Sequence, residues 1–184
     1  MAEYYLISQL PSLDGISENT QMPITEESFL ELCSRFLGKK AMSVIENITL
    51  LPPKIEEQTD SALIMAWNEG ERNLRLALAK TRAEKLNKPF DLKDKIIPIE
   101  IIKVASDALG MENPLDAEKF LLKFRLNFLE SLRPIDGFSN DYIVYYALKL
   151  KLLLRIRNFD GDLGRREYYK IYKTILSGDN LEVR

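Results

Sequence analysis

Histidine is absent from these 184 residues, and cysteine occurs once. The first absence removes the commonest general base, the commonest zinc ligand and every Ser-His or Cys-His nucleophile pair. The second rules out an internal disulfide framework. Glycine is sparse, at 8 residues, and no uninterrupted apolar run approaches the ~18 residues that would suggest a bilayer span. Residues 1–15 lack the basic start and long apolar core of a signal peptide, so a reducing, cytoplasmic address is expected. No phosphate loop, dinucleotide fingerprint or nucleophile elbow occurs. The expectation is a non-catalytic protein with no metal or cofactor.

What is present is the material of a helical body. Hydrophobic residues make up 46% and charged residues 29%, an ordinary globular balance. The pattern predicts a single all-α domain over 1–184, a bundle of about six or seven helices with two long central ones. At the N-terminus, Tyr4-Tyr5-Leu6-Ile7 reads equally as a helix or as a short extended segment, ended by Pro11 and Asp14-Gly15. Thr25 is a predicted N-cap, Phe29, Leu32, Cys33 and Phe36 share the face of the helix it starts, and Gly38 stops that helix. A short helix over 40–48 precedes the Pro52-Pro53 break. A long helix over about 60–87 carries two apolar stripes. One runs through Leu63, Trp67, Gly70, Leu74 and Leu78, the other through Met65, Leu76, Ala83 and Leu86, as for a helix sandwiched between neighbours. Further helices are predicted over 98–109, over 114–132 with Asn113 as cap, over 140–158 with Ser139 as cap, and over 163–176. The 140–158 helix is apolar almost all round and is the expected centre of the C-terminal half.

Charge is unevenly spread. Residues 1–71 hold 12 acidic and 4 basic side chains, net −8, whereas 72–184 hold 16 acidic and 22 basic, net +6. Lys151, Arg155, Arg157, Arg165 and Arg166 lie in the most basic stretch and are candidate protein-docking residues, suited to an acidic partner surface. The chain as a whole is acidic and shows no nucleic-acid-binding module, so nucleic acid is not expected as a partner. Glu118 and Arg125 fall within or beside an apolar arc, where an unpaired ion costs several kcal/mol. Together with Arg72 they are candidate structural ion-pair residues, with Arg72 or Arg155 available to Glu118. Cys33 reads as a buried thiol. Asn158, Asp160 and Asp162 alternate like the start of a calcium loop, but Leu163 stands where its glycine belongs and no glutamate closes it, so a turn is expected. A carboxylate enzyme using Glu69 and Glu118 would need both in one pocket.

Five stretches, in order, resemble an uncharacterised family encoded in bacterial V-type ATPase operons. They are Tyr4-Tyr5-Leu6-Ile7-Ser8-Gln9-Leu10-Pro11; Ile24-Thr25-Glu26-Glu27-Ser28-Phe29; Glu71-Arg72-Asn73 with Arg82-Ala83; Pro114-Leu115-Asp116-Ala117-Glu118 with Phe128-Leu129; and Tyr146-Ala147-Leu148-Lys149-Leu150 leading to Arg155. The resemblance covers nearly the whole chain. It implies a non-catalytic ATPase subunit whose partners are the rotor shaft, membrane ring or stalk, held at the membrane through those proteins alone. It further implies a reduced relative of the C subunit (d in eukaryotes), the helical socket between shaft and ring. The chain is much shorter than that subunit and lacks its visible threefold repetition, which leaves the central and peripheral stalks both open. A transient assembly or regulatory adaptor is the alternative.

Overall fold

The computed structural model describes residues 2–16, 20–53, 59–92, 95–157 and 161–176. Among them there are eight helices and no strand: α1 (Ala2–Gln9), α2 (Glu26–Phe36), α3 (Lys39–Asn47), α4 (Ala62–Lys85), α5 (Ile99–Gly110), α6 (Pro114–Ser131), α7 (Asn140–Arg157) and α8 (Gly161–Leu176). The protein is an all-helical bundle.

α7 is its axis. Every residue from 143 to 150 is buried, whichever way it points. The sequence is rich in aromatic and β-branched residues, which favour helix only weakly. Burial on all sides compensates, at about 1.5–3 kcal/mol for each large apolar side chain removed from water. Ser139 starts the helix by accepting a 3.2 Å hydrogen bond from the Tyr142 N–H through its hydroxyl. α6 begins as its composition dictates, with Pro114 in the first turn and the Asn113 side chain accepting from the Leu115 N–H at 3.0 Å. Thr25 caps α2 through the Ser28 N–H at 3.2 Å.

Two hydrophobic clusters meet along α4 and α6. The larger joins Leu6, Phe29, Cys33, Ile45 and Trp67 to the buried residues of α7. The smaller gathers Leu74, Ala77 and Leu78 of α4 with Ala105 and Ala108 of α5 and Leu121 of α6. The alanines let α4 and α5 approach closely, the most extensive helix pairing among the described residues.

Two expectations are corrected, and one open choice is settled: the N-terminal segment is helical. A helix brings Leu6 and Leu10 to one side, with Leu6 fully buried, and leaves Tyr4 and Tyr5 exposed; a strand would put Tyr4 on the face of Leu6. Gly38 does not close α2 in a left-handed conformation. Leu37 ends that helix in an extended backbone, and Gly38 is the residue from which α3 starts. The second stripe of α4 is covered only in part: Leu76 packs against the smaller cluster, whereas Met65 is 48% and Leu86 65% exposed.

Gly70 shows why α4 carries a glycine at mid-helix, where alanine would favour the helix by about 1 kcal/mol. The Phe128 ring from α6 lies directly over it, stacked at 6.1 Å on Trp67, and a Cβ would collide with the ring. Gly70→Ala should therefore destabilise the fold by about 1–2 kcal/mol, overpacking outweighing the helix gain. Urea unfolding of the two proteins measures this, and an unchanged or higher midpoint would show that the ring moves freely.

Candidate functional site

The charges of the C-terminal half divide into those consumed by the fold and those left facing outward. Lys149 is 7% exposed, in the middle of α7. A lone ammonium there would be costly. It donates to Asp14 of the α1–α2 loop at 2.6 Å and to the Tyr145 hydroxyl at 3.2 Å, and it pairs with Glu130 of α6 at 2.6 Å. Burial opposes its charge, but the hydrogen bonds to Asp14, Glu130 and Tyr145 outweigh this and hold its pKa above the usual lysine value. The same bond from Lys149 holds the Asp14 carboxyl below its ordinary range against the effect of burial, with further help from the Lys149 and Arg133 charges. One turn earlier on α7, the Tyr146 hydroxyl donates to the Pro11 carbonyl at 2.8 Å. Burial drives the Tyr145 phenol up to about 12 and, with no basic partner, the Cys33 thiol to about 11, so Cys33 is a neutral core thiol.

A second cluster runs across α4, α6 and α7. Glu71 is 2% exposed and meets Arg125 at 2.5 Å, with Arg75 at 3.4 Å. Arg125 lies 3.9 Å from Glu118, and Glu118 pairs with Arg155 at 2.9 Å. The structure thus joins Glu118 to Arg125 and Arg155, while Arg72 donates to the Pro53 carbonyl at 3.2 Å. Glu69 is exposed, and Glu118 is engaged by the two arginines.

The candidate docking residues separate along the same line. Lys151, half-buried, pairs with Glu26 of α2, and Arg155, 45% exposed, pairs with Glu118 of α6. Arg157 lies at the end of α7 on the lip of a groove. Arg165 and Arg166 are exposed on α8. α8 has no extensive packing partner among the described residues. Helical spacing gathers Tyr168, Ile171 and Tyr172 on one side of it, opposite Arg166 and Lys170. Those three apolar residues and Tyr169 are 47–62% exposed, and the Tyr168 and Tyr172 rings stack at 6.0 Å. Asp162 lies in the first turn of α8, whereas Asn158 and Asp160 fall outside the described residues.

Sequence reasoning missed Glu71 and Lys149 as buried ions. Both were signalled. Glu71 falls between Trp67 and Leu74 on the buried stripe of α4, and a lysine in the middle of an all-round apolar helix has no solvent to reach.

Two predictions follow from the Lys149 cluster. Asp14→Asn with Glu130→Gln strands a buried ammonium and should cost about 3–5 kcal/mol. Lys149→Met leaves only half-exposed carboxylates that water can solvate and should cost less, about 1–2 kcal/mol. Chemical denaturation of the two variants tests that order. The stability from this cluster should be complete between about pH 4 and pH 10, the unfolded values of aspartate and lysine. It is lost as pH falls through the depressed Asp14 value or rises through the raised Lys149 value. A Lys149→Met protein should show a flatter pH–stability curve at both ends.

Among the described residues no three metal-ligating side chains converge, and no helix is long and apolar enough to cross a membrane. No family model, curated protein or solved structure matches the chain at a significant level.

Proposed function

We propose that this chain is a non-catalytic subunit of a bacterial V-type ATPase, a stiff helical spacer of the central stalk between rotor shaft and membrane ring. What supports a docking role is α8, an amphipathic helix whose tyrosine-rich face is in water. Tyrosine and arginine together are the residue types that dominate protein interfaces, because each offers apolar area and a polar tip at low entropic cost. Arg165, Arg166, Lys170 and Lys173 give α8 a cationic character suited to an acidic partner surface, where charge sets orientation and association rate. The ATPase assignment rests on the ordered resemblance along the chain. The spacer role is consistent with the fastened α7 core, which resists shear between its ends.

A tagged chain captured from native bacterial membranes should retain ATPase subunits at a fixed ratio through washing. Tyr168→Ala with Tyr172→Ala, and separately Arg165→Glu with Arg166→Glu, should lower that retention about tenfold or more while leaving thermal unfolding unchanged. Loss of the partners from the unmodified chain on washing would favour a transient adaptor, and capture without any ATPase subunit would refute the assignment.

A further inference from the structure

A groove of about 490 Å³ runs between α6 and α7, half-open to solvent. Phe120, Leu126, Leu153 and Ile156 contribute apolar side chains to it, and Lys123 and Arg157 are cations on its lips. Lys119, one turn before Lys123, adds a third positive charge. The other cations of α6 and α7 are answered by acids: Arg125 by Glu71, Lys149 by Asp14 and Glu130, Lys151 by Glu26, and Arg155 by Glu118. Lys119 holds a contact of its own. Lys123 and Arg157 have neither an ion-pair nor a hydrogen-bond partner among the described residues. The cleft among α3, α4 and α7 differs in this respect, because its Lys40 pairs with Asp60 and its Ser61 with Asp141. Along α6 and α7, the two cations with no partner among the described residues border an apolar trough.

We infer that this groove seats an amphipathic helix of a partner protein, its apolar stripe on Phe120, Leu126, Leu153 and Ile156 and its acidic flank against Lys123 and Arg157. The partner being a protein rests on the docking role proposed above. A half-open trough suits a helix that buries one face; a small amphiphile would leave much of its chain in water. A second copy of this chain is a poor occupant. Its acidic half offers α2 and α3, whose apolar faces are already buried through Phe29, Cys33 and Ile45. Four peptide steps separate Arg157 from Gly161, a reach of at most ~14 Å, so α8 starts beside the groove and a partner can engage both.

The test uses the full chain and a fluorescent helical peptide of about 18 residues, the length of α6, with leucines on one face and flanking glutamates. Saturable anisotropy change is expected, weakened about tenfold or more by Lys123→Glu with Arg157→Glu and by added salt, and absent when the peptide's glutamates are replaced by lysines. Lys123→Gln with Arg157→Gln, which removes the charges without reversing them, should weaken it less, and circular dichroism should superimpose for all proteins. No binding of the glutamate peptide, equal binding of the lysine peptide, or insensitivity to both variants overturns the inference. Binding of phosphatidylglycerol vesicles or dodecanoate in place of the peptide overturns it too, as does groove-dependent self-association in sedimentation. Retention of ATPase subunits is a separate readout, so the groove can fail while the subunit assignment stands, and the reverse.

Discussion

The structure depends on keeping a cation inside its own axis. α7 is surrounded by other elements, yet carries Lys149 at its centre, and that ammonium is tolerable only because Asp14 and Glu130 reach it from two different segments. Each carboxylate therefore adds a directional contact to the element that carries it. Asp14 pins the loop after α1, and Glu130 the end of α6. Glu71 plays the corresponding role on α4, bringing Arg125 and, through Glu118, Arg155 into one alternating chain of charges across three helices. Apolar burial is non-directional, whereas these pairs specify which helix faces which.

This internal pairing decides what remains for partners. Lys151 and Arg155 belong to the basic stretch but are spent on Glu26 and Glu118. Lys123 and Arg157 at the groove lips and Arg165 and Arg166 on α8 lie beside apolar side chains that water can reach. Charge beside uncovered apolar surface is the composition of an interface, whereas scattered charge merely solvates.

Most of the helices were legible in the sequence because their signals are local. Asn113-Pro114, Thr25 with its two glutamates, and the all-round apolar run of α7 are short-range patterns that tertiary packing reinforces. The failures share one cause. Whether Leu6 sits on a helix or a strand, whether Met65 is covered, and which acid answers Lys151 depend on neighbours far along the chain, and periodicity carries no information about them; the pairing of Glu118 with Arg155, by contrast, was one the sequence offered. Within the basic stretch, Lys151 and Arg155 differ from Arg165 and Arg166 in having Glu26 and Glu118 folded against them. Glu118 and Arg125 beside the apolar arc of α6, and Glu71 and Lys149 within apolar stripes, were the readable hints that some of these charges are paired inside the fold.

The central claim is a division between a fastened body and a helix held out for a partner. Hydrogen exchange on the purified chain tests it most directly, because protection reports how each helix opens. The account predicts that the amides of α7 exchange only through global unfolding, while those of α8 exchange fastest of all the helices. Protection of α8 equal to that of α7 would contradict it, since α8 would then be part of the body and not a surface offered to another protein.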